Sequence, residues 1–347
     1  MILNKKYFKN AVCLMMFLLS ANLMNAQSIS RVGTTSASFL KIGIGARALS
    51  MGSAVTTLSE DVTALYWNPA GISKVGKIQT VISHYDYIAD MYYDYDAIAI
   101  PVGDYGVAGF FFSYLGMPDL ERTTIESPNG TGEKVAAYSY SVGVGYAKEL
   151  TDRFAMGFTV KYISETLWHS SANAFSGDIG LTYSTLNEGL KIGMSISNLG
   201  GTMKIEGRDL RIQHDLNPAW NGNNAYINGY FDTDQFPLPT LFRTGISSNL
   251  LKTFMPVEGY DWLVSVDAVH PNDNNEYVNA GTEFVYQKTI AFRAGYNKLF
   301  IDDNQGGFAF GFGFMMTWST VDFTLDYANV DYGLLDRQNQ FSMILAF

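Results

Sequence analysis

Cysteine is almost missing from this 347-residue sequence, which contains a single one, Cys13. It lies within a short apolar stretch near the N-terminus and not directly after it, so it is a poor candidate for a lipid-modified cysteine. If that stretch is removed on export, the mature chain has no thiol. Disulfide bonds and cysteine-ligated metal sites are then excluded.

Long apolar runs are also missing, because no stretch after Ala26 reaches the roughly 18 consecutive apolar residues that a membrane-spanning helix needs. The short apolar stretch around Cys13 follows three lysines, a pattern typical of a secretory signal peptide. We expect residues 1–26 to be that signal peptide, which leaves Gln27 as the first residue of the mature chain. The sequence therefore predicts a protein that leaves the cytoplasm.

Basic residues are scarce: the chain has 23 of them against 33 acidic residues, a net charge of −10. Removing the three lysines of the signal peptide leaves 20 basic residues and a charge of −13. Such a surface repels phosphate backbones, and the sequence has no basic stripe to overcome the repulsion. Nucleic acid is therefore excluded as a partner.

Aromatic residues, in contrast, are abundant, with 22 Tyr and 23 Phe, while the mean hydropathy is only +0.02. Between Phe308 and Phe314 every second residue is Phe, and the residues between them are Ala or Gly. Between Phe154 and Tyr162 large apolar residues again alternate, here with Gly157, Thr159 and Lys161. Alternation of this kind suits strands with one face in lipid and the other in a lumen. It predicts an all-β transmembrane barrel in the outer membrane.

Strand signals recur from residue 78 to the C-terminus and are separated by turn-forming Gly, Asn, Asp and Pro clusters. They predict about fourteen antiparallel strands, an even number as bacterial barrels require. We therefore assign residues 78–347 to the barrel. The predicted strands start at Ile78, Tyr95, Tyr105, Val135, Arg153, Phe175, Leu190, Thr240, Tyr260, Glu276, Ile290, Gly307, Val321 and Asn339.

Connection lengths orient this barrel, since short turns belong on the periplasmic side and long loops outside. Counting back from a periplasmic C-terminus places the short connections at 103–104, 150–152, 187–189, 287–289 and 318–320 in the periplasm. The long connections 117–134 and 202–239 then face the exterior, as does the shorter loop 270–275, and we expect its Asn and Asp residues to be a solvated tip. The connection 251–259 is longer than its periplasmic siblings.

The last strand ends on a further pattern, with alternate apolar residues Phe341, Met343 and Leu345 followed by the terminal Phe347. This arrangement resembles the C-terminal signal by which the barrel-assembly machinery recognises its clients. An ordinary edge strand is the alternative interpretation. The pattern makes that machinery and the lipid of the outer membrane predicted partners.

Residues 27–77 do not fit the strand pattern and are rich in Gly, Ala and Ser, so we expect a small plug packed inside the barrel. The segment contains a distinctive motif made of Gly45, Ala46, Arg47, Ala48, Met51, Gly52, Trp67, Asn68, Pro69, Ala70 and Gly71. This motif resembles the PorV/PorQ family of Bacteroidetes-type outer-membrane proteins. Its Asn-Pro-Ala stretch is similar to one in the wider FadL group of fourteen-stranded barrels.

The motif also has a physical interpretation. Pro disfavours helical backbone in the residue before it, so Asn68 and Pro69 are expected to end a short helix and begin a turn. Gly71 would then permit a reversal of the chain. Arg47 is the one long cation of its stretch, and its planar guanidinium could tie the plug to an inward carboxylate such as Asp322 or Asp326.

We find no catalytic motif, no cofactor-binding motif and no metal-binding motif in the sequence, and we expect the protein not to be an enzyme. The four histidines, His84, His169, His214 and His270, fall at strand ends or in loops by the predicted strand count. Five tyrosines flank the first outer loop, where an aromatic girdle at the membrane interface would explain them as well as a binding surface would. They are Tyr85, Tyr87, Tyr92, Tyr93 and Tyr95.

Two functions stay open, and a purely structural barrel is a third alternative. The family resemblance implies a component of type IX secretion that receives secreted proteins through their C-terminal domains and hands them, with other components of the pathway, to surface attachment. Exposed aromatic residues are typical anchors for such a partner, although they could also pack over the barrel mouth. The alternative is a FadL-like channel for hydrophobic small molecules, gated by the plug. The candidate anchors in the long outer loop are Trp220, Tyr226, Tyr230, Phe231 and Phe236.

Overall fold

The computed structural model describes residues 31–185, 189–219, 226–254, 257–301 and 306–347. Within them, fourteen antiparallel strands follow one another around a closed barrel, because the first strand pairs with the last. The strands are β1 (Gln79–Asp86), β2 (Tyr92–Pro101), β3 (Val107–Gly116), β4 (Ala137–Thr151), β5 (Phe154–Leu167), β6 (Ser170–Ser184), β7 (Leu190–Gly200), β8 (Leu241–Asn249), β9 (Tyr260–Pro271), β10 (Tyr277–Tyr286), β11 (Ile290–Leu299), β12 (Phe308–Trp318), β13 (Val321–Asp331) and β14 (Arg337–Ala346).

The predicted strand number is confirmed, and most predicted starts lie within two or three residues of the observed ones. The largest difference is β6, which begins at Ser170 and not at Phe175. Its first five residues are Ser, Ala and Asn, which lack the β-branched and aromatic side chains that signal a strand. They become strand because β5 offers them a continuous row of partners, from Leu167↔Ser170 onward.

The alternation predicted from the sequence is present on the barrel wall. In β12 the four phenylalanines from Phe308 to Phe314 point outward, whereas Ala309 is buried against the interior. In β5 Lys161 faces inward and is buried, as expected. Lipid-facing apolar side chains and an inward polar set follow from the period of two in a strand.

The two ends of the barrel differ in the length of their connections. At one end the connections are 102–106, 152–153, 185–189, 250–259, 287–289 and 319–320, and both ends of the strand array are also found there. At the other end they are 87–91, 117–136, 168–169, 201–240, 272–276, 300–307 and 332–336. The longest loops share one end, which we therefore call the outer end. Residues 186–188 and 255–256 of two predicted periplasmic turns lie outside the described residues.

The described residues also form three α-helices and six short 3₁₀-helices. The helices are α1 (Ala46–Ser50), α2 (Ala64–Trp67) and α3 (Leu250–Phe254), and α3 occupies the long periplasmic connection. The 3₁₀-helices are Ser38–Lys41, Pro69–Lys74, Ile88–Asp90, Gly103–Tyr105, Arg208–Leu210 and Gly333–Leu335. No helix among the described residues has the length and apolar character needed to cross a bilayer.

Short strands project from the outer end. Leu120–Glu121 pairs with Lys134–Val135 in one outer loop. In the longest loop, Thr202–Lys204 pairs with Gln235–Pro237 and Arg211–His214 pairs with Ile227–Tyr230. Glu206–Gly207 lies against the start of β6. The longest loop therefore has regular structure of its own.

The segment from Ala37 to Val75 folds inside the barrel, where Ile44, Met51 and Leu65 are fully buried. Its outer end is held by Asp273 in the outer loop 272–276, which binds Lys41 and Thr35. Its other end is tied to the periplasmic end of the barrel, for example by Lys77 to Asp322 at 2.7 Å. The segment thus runs through the lumen from the outer end to the periplasmic end.

Candidate functional site: plug, lumen and outer loops

Asn68 is the central polar residue of the plug and is completely buried. Its Nδ2 donates to the carbonyl oxygens of Thr56, at 2.7 Å, and of Leu181 in β6, at 3.2 Å. Its Oδ1 accepts from the backbone N–H of Ala70 at 3.2 Å. Helix α2 ends here, and a 3₁₀-helix begins at Pro69. The prediction of a helix end and turn is confirmed at these two residues.

Glycines of the barrel wall provide the space for the plug. A Cβ added at any of several inward positions would come within 3.0 Å of plug atoms, so larger residues there would displace the plug. Gly281 and Gly295 contact Met51, Gly311 contacts Ser50, Gly157 contacts Pro69, and Gly180 contacts Asn68. The motif residues are therefore fitted to particular positions on the wall.

Two glycines of the motif also let neighbouring backbone segments pack closely. Gly52 has φ +62° and touches the backbone of Tyr296 in β11. Gly71 lies against the carbonyl oxygen of Ser59, where no side chain could fit. Gly71 has no positive φ, so its role is tight packing and not the predicted chain reversal.

Arg47 holds the plug to the wall, but not through the predicted carboxylates. Its Nε and Nη2 each donate to Glu283 in β10 at 2.9 Å, and Asp61 lies 3.5 Å from Nη1. Asp326 instead accepts from Arg293, and Asp322 pairs with Lys77 at the periplasmic rim. The predicted partners are wrong because the depth of α1 in the lumen decides which strand Arg47 meets.

Glu283 joins this contact to a larger buried network, because it also accepts from Arg293 at 2.5 Å. On the opposite side of the lumen, Lys161 donates to Asp178 at 2.8 and 2.9 Å. Asp178 further accepts from the Thr159 hydroxyl and from the backbone of Asn198. These inward charges are thus paired with opposite charges, which reduces the cost of burying them.

The tyrosines near the first outer loop do not form one girdle. Tyr85, Tyr93 and Tyr95 face inward and are buried against the plug, and the Tyr85 hydroxyl donates to the Gly43 carbonyl at 3.1 Å. Of these five tyrosines, Tyr92 faces outward from its strand, where its ring lies 5.8 Å from that of Tyr114. The girdle interpretation is wrong for Tyr85, Tyr93 and Tyr95 because they lie on the inward face of the alternating strands β1 and β2, where the plug covers them.

The longest outer loop presents an apolar surface to solvent. Tyr226 is 75% exposed, and Tyr230, Phe231 and Phe236 are also exposed. Trp220 lies outside the described residues. The loop is anchored from below, because its Met203 and Leu238 are buried in the barrel core. The four described aromatics are therefore exposed on a loop whose base is buried.

A cavity of about 530 Å³ lies within this loop. Its apolar wall includes Ile205, Leu210, Tyr230 and Phe231, and its rim carries both charge signs. On the rim Lys204 donates to Asp232 at 2.6 Å, which lowers the pKa of the Asp232 carboxyl below its usual value. We call the cavity and the exposed aromatics around it the outer-loop surface. An apolar centre with a polar rim is the pattern of protein-binding surfaces.

A second recess, of about 300 Å³, lies at the outer end between β3, β4, β5 and β6. Most of its lining is apolar and includes Met91, Leu115, Met117, Leu167 and Ile205. The plug lies below this recess, because the backbone N–H of Ala37 donates to Glu165 of its lining at 3.0 Å.

The family model for the type IX secretion system protein PorV matches residues 25–218, which include the whole plug and the first seven barrel strands. The chain belongs to the PorV family. Its place in that family and its transmembrane barrel make it an outer-membrane protein. No curated protein matches the chain.

Solved structures with the same fold are FadL-like hydrocarbon channels. The toluene transporter TbuX of Ralstonia pickettii has a TM-score of 0.52 at 13% identity, over 88% of this chain and 97% of that chain. The toluene transporter TodX of Pseudomonas putida has a TM-score of 0.52 at 13% identity, over 87% and 97%. The monoaromatic hydrocarbon channel CymD has a TM-score of 0.51 at 12% identity, over 88% and 98%. At these identities the likeness concerns the fold alone.

The C-terminal strand of this PorV-family protein places Phe341, Met343 and Leu345 on the outward face, with Phe347 exposed at the end of the chain. β14 closes the barrel against β1, where Ile82 pairs with Met343. The apolar residues of the predicted assembly signal therefore share one lipid-facing surface.

Three of the histidines pair with acids at the outer end. His169 lies 3.0 Å from Asp209, and His270 lies 2.9 Å from Glu276. His84 lies within β1 and faces outward beside Asp94, so it is not at a strand end. His214 lies in a short outer strand. Among the described residues, no three His, Cys, Asp or Glu side chains gather as metal ligands would.

Proposed function

We propose that this PorV-family barrel receives secreted proteins at the cell surface during type IX secretion and passes them to surface attachment. The observation that carries the proposal is the outer-loop surface, where Tyr226, Tyr230 and Phe231 are exposed on an anchored loop. Large exposed aromatics with little conformational freedom are the side chains that most often anchor a protein partner. The family match to a type IX secretion protein supports this role.

The filled lumen supports reception at the surface and not passage through the barrel. The plug buries Ile44, Met51, Leu65 and Ile72 and is held to the wall by Arg47 and Glu283. A folded or extended polypeptide would have to displace all of these contacts to pass. We therefore place the cargo on the outer face, where the C-terminal domain of a secreted protein would meet the outer-loop surface.

Two further parts of the proposal concern assembly and chemistry. The outward row ending at Phe347 would engage the barrel-assembly machinery during insertion.

We also propose that the protein binds and does not catalyse. The histidine–acid pairs at His84, His169 and His270 support this, because the partners of each histidine among the described residues do not include a Ser, Thr or Cys nucleophile.

A second candidate is a channel for small hydrophobic molecules. The apolar recess beside Leu115 and Met117 favours it, because such a compound would enter from the outer side there. For transport the plug below would have to move. The two candidates therefore differ in whether the plug must open.

The first test distinguishes the secretion role from the channel role by substituting residues of the outer-loop surface. The double variant Tyr230→Ser, Phe231→Ser removes the two aromatics that line the loop cavity, and Ile125→Ser is the matched control in another outer loop, where Ile125 is 97% exposed. The double variant should lose surface-attached cargo severalfold in a surface proteome, while the control should not. Uptake of a labelled long-chain fatty acid should stay unchanged in both.

The opposite pattern would reject secretion. Unchanged surface cargo in the double variant, together with impaired fatty-acid uptake in a deletion strain, would favour the channel. Both variants should still show the heat-dependent gel mobility of a folded barrel, because external loops contribute little to strand pairing.

A further inference from the structure

A third cavity, of about 340 Å³, lies at the outer end on the side of the plug opposite the apolar recess. Its lining differs from that of the recess, since it includes three cations and two side-chain amides. The cations are Lys41 of the plug, Arg243 of β8 and Lys298 of β11. Tyr87 and Tyr332, which belong to outer loops, lie at its margin. The cavity is therefore placed to receive a ligand from the outer side.

Arg243 is the unusual residue of this cavity because it is only 6% exposed. Its Nη1 donates to the hydroxyl of Ser197 at 2.9 Å, and its guanidinium carbon lies 5.6 Å from the centre of the Trp67 ring. Neither partner carries a negative charge. Within the described ranges, no carboxylate lies within ion-pair distance of Arg243.

In the described part of the lumen, three other buried or partly buried cations are each paired with a carboxylate. Arg47 and Arg293 share Glu283, and Lys161 pairs with Asp178. Asp267, on the strand next to Arg243, attracts Arg243 electrostatically without forming an ion pair with it, and accepts from the backbone N–H of Thr56 at 2.8 Å. A buried cation with no anion in direct contact is unfavourable, so Arg243 has the charge and position of a group that binds an anion.

We propose that this cavity binds the carboxylate of an organic ligand that enters from the outer side, with Arg243 as the principal contact. The planar guanidinium matches the two oxygens of a carboxylate. The nearby walls, formed by Trp67, Leu241 and Tyr277, suit an apolar or aromatic group attached to that carboxylate. The carboxylate could belong to a polypeptide C-terminus or to a free organic acid. This inference does not depend on the secretion role.

The test is calorimetry on the folded, full-length mature protein in detergent micelles. The probes are two pairs that differ only in charge: benzoate with benzamide, and N-acetyl-Phe-Ala with its C-terminal amide. At least one carboxylate should bind saturably, and its amide should bind about tenfold more weakly or worse, as loss of a charged hydrogen-bonded group predicts. Binding of the peptide alone identifies a polypeptide end as the source, and binding of benzoate alone identifies a small acid.

Variants locate the site. Arg243→Gln should weaken binding of the carboxylate probe by about tenfold. Arg243→Lys keeps the charge but loses the planar guanidinium, and it should weaken binding less. Arg337→Gln is the matched control, because Arg337 is exposed on the outward face of β14. Heat-dependent gel mobility shows which variants fold, and Arg243→Lys carries the test if Arg243→Gln does not.

Four results would overturn the proposal. They are no saturable binding by either carboxylate, equal binding of the matching amide, displacement by inorganic phosphate at the same concentration, and unchanged affinity in the folded Arg243 variants.

Discussion

At the scale of single residues, the lumen is organised by buried charges whose partners come from distant parts of the chain. Glu283 has two arginines within hydrogen-bond distance, Arg47 from the plug and Arg293 from the neighbouring strand. Removing one member of such a network leaves the others charged and buried, which costs more than the network itself contributes. Glu283 therefore both holds the plug to the wall and stabilises the wall itself.

Glu283→Gln should lower the free energy of unfolding by about 3–5 kcal/mol, because it leaves the buried guanidinium of Arg293 and the partly buried one of Arg47 without their shared carboxylate. Asp322→Asn is the matched control, since Asp322 pairs with Lys77 at an exposed rim. Exposed pairs contribute about 0–1 kcal/mol, so the control should change little. Denaturant unfolding in micelles measures both, and equal losses would contradict a structural role for the buried network.

At the scale of elements, the plug packs closely against the barrel wall because the wall has glycines at the contact positions. The helices of the plug have only four or five residues, too few to be stable by themselves. They persist because the inward glycines of β10, β11 and β12 let the plug backbone approach the wall directly. The stability of the plug is therefore a property of its contact with the barrel.

Gly295→Ala should displace the plug, because its Cβ would meet the backbone of Met51 and Gly52. Overpacking of this kind costs about 1–3 kcal/mol. Gly201→Ala is the control, since an added Cβ there meets nothing within 4 Å. Protease cleavage of the plug in the purified barrel should increase in the first variant and not in the second. Equal protease protection of the plug in both variants would show that its position does not depend on the contact at Gly295.

At the scale of the whole molecule, the described chain enters the barrel from the outer end. Thr35 donates to Asp273 at 2.8 Å, and the backbone N–H of Ser36 donates to the Pro237 carbonyl at 3.0 Å. Both acceptors belong to the outer-end connections. Val32, just before them, is exposed. The start of the plug should thus be accessible from outside the cell, although the strands begin and end at the periplasmic side.

Single cysteines test this arrangement, because the mature chain is predicted to have none. Val32→Cys and Tyr226→Cys should react with a membrane-impermeant maleimide on intact cells. Tyr105→Cys, in an exposed turn at the opposite end, should react only after the outer membrane is permeabilised. Labelling of Tyr105→Cys alone on intact cells would invert the orientation of the barrel.

Local pattern determined much of this protein from its sequence. Each local pattern is visible within a few consecutive residues. The short apolar leader predicts export, the turn residues predict the number of strands, and the period of two predicts which face of each strand meets lipid. The sequence also singled out the aromatics of the long loop 202–239 but left open whether they are exposed or cover the barrel mouth, and the four described ones are exposed. Arg243 left a weaker signal, a single cation in the inward phase of β8.

Only the tertiary structure decided which distant residues meet. Arg47 pairs with Glu283 and not with Asp326, Tyr93 packs on the plug and not in lipid, and Asp273 is buried beside Lys41 although it lies in an outer loop. Each outcome depends on the depth of the plug and on the stagger between strands far apart in sequence. A period of two says which face a residue occupies, but it contains no information about the height at which that residue meets a separate segment inside the lumen.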